Sequence, residues 1–329
     1  MTPKTIRQLT AAAVAAMSLV ALSPGALANT DYPNKPIRLI SPYAAGGLTD
    51  VLARMLSKKL SERLGQPVMV ENRTGAGGVI GVDTAAKATP DGYTIVLVGQ
   101  GLASVNGSIQ KNLPYDTVRD FAPLTMIATF PMVFVGQASA LPASVSEFIS
   151  MAKAKPGALT YGSAGNASTA HLTMELFKDQ VGIDITHVPY RGEAQSFTEL
   201  MGGRLSGMFA TLGGTLPLVQ TGKMRALAIA TKERSKLLPD VPTMAEAGVP
   251  NFEVFGWYGV LAPKGTPQPV LDKLSKTLME MAREPEFREQ MASRGLEAVG
   301  STPAELAKLI DSETRRWRAV VQKAGIQAD

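Results

Sequence analysis

Cysteine is absent from the 329 residues. That excludes disulfides and thiol chemistry, and it excludes a lipid-anchored lipoprotein, which needs a cysteine at its cleavage point. Histidine is nearly absent too, with only His171 and His187. Without cysteine, H-x-x-H or H-E-x-x-H, a catalytic zinc site has no ligand set to build on. No metal or cofactor is therefore expected. Runs of one charge are also missing. Lys and Arg (33) exceed Asp and Glu (28) by five, but the two signs interleave, as in Arg283, Glu284, Glu286, Arg288 and Glu289. Such stretches are solvated helix faces and argue against nucleic acid as a partner. A mild positive excess favours encounter with anionic solutes.

Long apolar runs are confined to the N-terminus. A basic start at Lys4 and Arg7 leads into apolar residues from Leu9 to Leu22, then Pro24-Gly25 and Ala26-Leu27-Ala28. This reads as a secretory signal peptide over residues 1–28, cleaved after Ala28, and implies a periplasmic location. The run is shorter than the roughly 20 residues that span a bilayer. Loss of Lys4 and Arg7 reduces the net charge from +5 to +3. At 45% apolar residues, the remaining chain has enough core-forming material for one large or two ordinary domains.

Beyond this leader, strands alternate with amphipathic helices. Ile37–Ser41 reads as a strand, and residues 50–64 carry Val51, Leu52, Met55, Leu56, Leu60 and Leu64 on one helical stripe. Residues 67–70 and 93–98 read as further strands, giving a βαβ rhythm with parallel sheet. A second unit of the same design starts near residue 159. Each runs strand, glycine-containing loop, helix, glycine, strand and Arg-containing turn, so the two units echo each other in structure at low identity. Residues 124–135, broken by Pro131, and 252–261 suit strands crossing between two lobes. The C-terminal third is helical over 270–283, 286–294 and 303–324, with Thr302, Pro303 and Glu305 as a helix start.

The two echoing loops are the candidate site. The first, Tyr43 to Asp50, contains Ala45, Gly46, Gly47 and Thr49. Helix N-termini leave N–H groups unpaired and carry partial positive charge, and glycine lets a ligand approach the backbone. Thr49 or Asp50 serves as a cap. The second loop offers Ser163, Asn166, Ala167 and Ser168, with His171 one turn into the helix. Alone, each reads equally as an ordinary βα turn; together they suggest two helix starts converging on one anion. Arg191, after Tyr190, pairs either with ligand or with a nearby carboxylate, and Trp257 and Tyr258 form either interface core or ligand wall. Enzyme motifs fail on inspection. Tyr161 stands where a nucleophile elbow around Ser163 needs glycine, and Ile80 takes the third glycine position of a dinucleotide loop at Gly75–Gly81.

Several segments carry a resemblance: Tyr32-Pro33-Asn34-Lys35-Pro36-Ile37-Arg38, Pro42–Asp50, Val70–Gly78, Pro90-Asp91-Gly92-Tyr93-Thr94, Val188-Pro189-Tyr190-Arg191-Gly192, Leu237–Gly248 and Ala262–Pro267. In order, over nearly the whole chain after residue 31, they resemble the Bug (Bordetella uptake gene) receptors, the solute-binding components of tripartite tricarboxylate transporters. The resemblance implies an α/β type II periplasmic-binding-protein fold, with two doubly wound lobes joined by crossover strands. The lobes would be 31–128 plus 254–329, and 129–253. It implies a monomer that grips a small carboxylate between the loops at Tyr43–Asp50 and Ser163–His171, catalyses nothing, and delivers the ligand to cytoplasmic-membrane transporter subunits. A receptor of the same fold reporting to a sensor kinase is the alternative. Ala210 and Thr211 join the site by resemblance. An aspartate is frequent where Ala210 stands, and its loss would tilt the ligand toward less polar carboxylates. Ala167 replaces a common glycine.

Overall fold

The structure, a computed structural model, describes residues 32–327 apart from Ala44, Gly47, Leu141 and Arg191. The stretch read as a signal peptide lies outside the described residues. Of the N-terminal unit, Met1–Asn34, only Tyr32–Asn34 are described; every element named below belongs to the unit Lys35–Asp329.

The chain opens with β1 (Ile37–Ser41), α1 (Leu48–Leu64), β2 (Val68–Asn72), α2 (Val79–Ala86) and β3 (Thr94–Gly99). β1 lies between β2 and β3 and runs parallel to both, with Leu39 opposite Val70 on one side and Ile95 on the other. All six residues of β3 are buried, as expected of an inner strand covered on both faces. α1 seats itself through Leu52, Leu56 and Leu60, spaced four apart on one stripe. α2 packs against the loop after β1. A Cβ at Gly81 would lie 2.8 Å from the Pro42 Cα and 2.5 Å from the Arg73 carbonyl oxygen, so glycine is required there for close approach.

β4 (Phe121–Gln137) is longer at both ends than the sequence suggests, and Pro131 does not interrupt it. From Phe121 to Pro131 it pairs antiparallel with β9 (Phe255–Pro263). From Met132 onward it pairs with β7 (Met208–Thr211) and β8 (Met224–Ile229). Proline has no N–H to donate, and the handover between partners is where that loss costs least. Between these strands come α3 (Val145–Ala154), β5 (Thr160–Ser163), α4 (Thr169–Val181), β6 (Thr186–Pro189), α5 (Glu193–Met201) and α6 (Leu212–Gln220). β5 and β6 are parallel, which gives the second half the same strand–helix–strand start as the first.

The C-terminal elements are α7 (Gln268–Ala282), α8 (Pro285–Ala292), β10 (Glu297–Ala298) on the edge of β4, and α9 (Pro303–Ala324). α9 begins as its sequence dictates. The Thr302 hydroxyl accepts from Glu305 N–H, the Glu305 carboxylate accepts from Thr302 N–H, and Pro303 occupies the first turn.

Aromatic rings dominate one core. The Phe134 ring centroid lies 4.9 Å from Phe148, 5.0 Å from Phe209 and 5.7 Å from Phe177, and all four side chains are fully buried. Phe134→Ala removes the ring that joins β4 to α3, α4 and β7. It should lower the unfolding free energy by about 3–5 kcal/mol, read as a shift in urea midpoint. A midpoint within error of the parent would contradict this packing.

Candidate functional site

The loop between β1 and α1 is held by one carboxylate. Asp50 Oδ2 accepts from Gly46 N–H (3.0 Å) and from Arg54 Nε (2.9 Å), and Oδ1 accepts from Asn72 Nδ2 (2.9 Å). Asn72, at the end of the neighbouring strand β2, also donates to the Tyr43 carbonyl (3.0 Å). Gly46 adopts φ +89°, a conformation that favours glycine. The Arg54 guanidinium, then the Gly46 N–H and Asn72 amide, hold Asp50 down to about 2, so it is ionised and committed to shaping the loop. Thr49, next to it, donates to the Tyr258 hydroxyl of β9 (3.2 Å). Burial keeps Tyr43 and Tyr258 as neutral phenols. Ala45 and Gly46 are exposed, and Gly47 lies outside the described residues.

The loop between β5 and α4 is built from neutral groups. Ser168 caps α4 by accepting from His171 N–H (3.3 Å). Ala167 sits at φ +56° and donates its N–H to His171 Nδ1 (3.0 Å), which fixes the proton of neutral His171 on Nε2. The His171 ring stacks on His187 (3.8 Å), and His187 stacks on Tyr161 (4.8 Å). Tyr161 donates to Glu175, which also accepts from Lys178 (2.7 Å). Ser163 Oγ lies 2.6 Å from His187 Nε2 and accepts from Gly165 N–H (3.1 Å). Ser163 is fully buried, so this Ser–His pair has no access to a substrate and works as a brace. Asn166 lines a polar cavity of about 1060 Å³ with Asn106, Ser108, Gln110 and Asn112.

The two loops approach one another at the end of β3. A Cβ at Gly99 would lie 3.4 Å from the Tyr43 hydroxyl and 3.5 Å from the Tyr258 ring. The next residue, Gln100, accepts from Thr169 Oγ1 (3.2 Å), the first residue of α4. Tyr43, Thr49 and Tyr258 thus share one small region with Thr169.

A third helix start stands beside it. Thr211 caps α6 by accepting from Gly214 N–H (3.2 Å), and both its N–H (2.8 Å) and its hydroxyl (2.7 Å) donate to the Glu193 carboxylate. Glu193 was not legible as a site residue; an acid in the first turn of a helix is commonplace. Ala210 is fully buried in the core and offers no polar side-chain atom. Tyr190 packs against that same core. Arg191 lies outside the described residues. Of the two aromatics in β9, Trp257 is core and Tyr258 is wall. Among the described residues, no cluster of three His, Cys, Asp or Glu side chains could hold a metal ion, and no helix is long and apolar enough to cross a membrane.

Comparison with known proteins agrees with this architecture. Residues 52–326 match the model of the tripartite tricarboxylate transporter family receptors. Protein BugT of Bordetella pertussis is 37% identical over 295 residues, covering 89% of this chain and 90% of its own. Among solved structures, an R. palustris protein with adipate superposes with a TM-score of 0.81 at 35% identity, over 90% of this chain and 99% of its own. MatC from Rhodopseudomonas palustris, with bound malate, gives 0.77 at 31% identity, over 88% of this chain and all of its own.

Burial, with a smaller contribution from Lys178, pushes His171 down from 6.5 to about 4. The folded chain therefore resists a proton that the unfolded chain accepts. This stability is present in full above pH 6.5 and falls as pH drops toward 4, by on the order of 3 kcal/mol. Urea unfolding at pH 7 and pH 4.5 should show that loss in the parent protein and a smaller one in His171→Gln. Equal losses in the two would refute the assignment.

Proposed function

Because the chain belongs to the tripartite tricarboxylate transporter receptor family, whose members are binding proteins and not enzymes, we propose that it captures a small carboxylate and hands it to membrane subunits of such a transporter. The carrying observation is the meeting of the α1 and α4 starts around Gly99 and Gln100, lined by hydroxyl groups. Oriented N–H and O–H donors at helix starts balance an anion without a dedicated cation. The ligands of the two R. palustris relatives, adipate and malate, are both small carboxylates and support this reading. On it, residues 1–28 are a signal peptide, the receptor works as a monomer in the periplasm, and 31–128 plus 254–329 form one lobe and 129–253 the other. The ligand sits between the lobes and closes them, because each supplies only part of the donor set.

Thermal-shift screening of small carboxylates, followed by calorimetry, tests the reading. A ligand at 100 times its Kd should stabilise the protein by about 2.7 kcal/mol and be recovered unchanged. Small-angle scattering should give a smaller radius of gyration with ligand bound. Ser168→Ala should weaken binding by about 1.5–3 kcal/mol, and Arg191→Gln by much less. The reverse order would make Arg191 a bidentate clamp and overturn the helix-start account.

A further inference from the structure

Glu193 opens α5, yet its side chain serves the start of α6. Both carboxylate oxygens accept from Thr211, one from the backbone N–H (2.8 Å) and one from the hydroxyl (2.7 Å). Gly214, in the first turn of α6, leaves the room: a Cβ there would lie 2.9 Å from Glu193 Oε2. An external anion would occupy this position at a free helix start. Here the chain fills it with a carboxylate of its own. The carboxylate also reaches across to the β1–α1 loop, because its charge adds to burial in keeping the Tyr258 phenol neutral, and Tyr258 is bonded to Thr49. Burial raises the Glu193 carboxyl above the usual range, against the pull of the two Thr211 bonds. Ala210, one residue before Thr211, brings no polar atom. Acceptor character at this wall therefore comes from α5.

A carboxylate has about four lone-pair sites, and Thr211 uses two. What remains can accept hydrogen bonds and repels a second negative charge. Building on the carboxylate-binding reading above, we propose that Glu193 is the specificity-determining residue for the far end of the ligand. It selects a hydroxyl, amide or ammonium donor there and disfavours a second ionised carboxylate.

Calorimetry at pH 8 with two matched pairs tests this: adipate against its monoamide, and malate against its monoamide. The parent protein should bind the monoamide of at least one pair tenfold or more tighter than the dianion. Glu193→Gln, checked first for native melting, should bring that ratio within threefold or invert it, because the new amide donates to a carboxylate. If the variant fails to fold, Glu193→Asp, which keeps the charge on a shorter arm, should reduce the ratio without inverting it. Parent protein that binds dianion and monoamide equally, or prefers the dianion, overturns the proposal and leaves the carboxylate receptor standing. So does an unchanged ratio in Glu193→Gln. If none of the four probes binds the parent protein, the carboxylate reading falls and the proposal falls with it.

Discussion

Every backbone N–H and C=O of a buried strand must find a partner, and β4 meets that demand with different neighbours along its length. Its first eleven residues are paired to β9, with β10 on the opposite edge; its last six lie between β7 and β8. Two sets of strands are thereby ordered by one continuous backbone, and the loops at their ends inherit that order. Pro131 marks the change of partners. The residue least able to contribute to a ladder stands where one ladder stops and another begins.

The site shows how environment divides labour between two carboxylates of similar intrinsic acidity. Asp50 accepts three donors, one of them a guanidinium, and is driven strongly toward the ionised form. Glu193 accepts two neutral donors from Thr211, and burial wins over them, so its proton is held more tightly than usual. The first builds a loop and has little left for a ligand. The second keeps acceptor capacity at a wall. The α4 start carries no carboxylate of its own in these bonds; Ser168 and a neutral histidine do the capping and bracing.

Much of the fold was legible because it depends on local rules. Apolar runs marked β1 and β3, a four-residue stripe marked α1, and the Thr302–Pro303–Glu305 pattern marked the start of α9. Observed ends differ by one to three residues, because fraying and capping decide ends while periodicity decides existence. The site was legible only as loops. Asp50 looked like a cap or a ligand donor, yet its partners include Asn72, 22 residues away on another strand. His171 and His187 lie on a helix and a strand, and no spacing rule shows that their rings stack. Glu193 and Thr211, 18 residues apart, meet only because α5 and β7 pack side by side. Trp257 and Tyr258 were ambiguous between core and wall, and strand alternation sends one each way.

The polarity of the site is set from further away still. Glu313 on α9 is buried and accepts from Trp317 Nε1 and from Gln100 Nε2. A buried carboxylate accepts only donors, so it fixes which end of the Gln100 amide faces it. The carbonyl end must then point the other way, where Thr169 Oγ1 donates to it. With its proton committed to Gln100, the Thr169 hydroxyl can act toward a neighbour only as an acceptor. Donors for an anion at this helix start are therefore left to the backbone and to Ser168. A glutamate on the last helix in this way decides which groups of α4 can meet a negative charge.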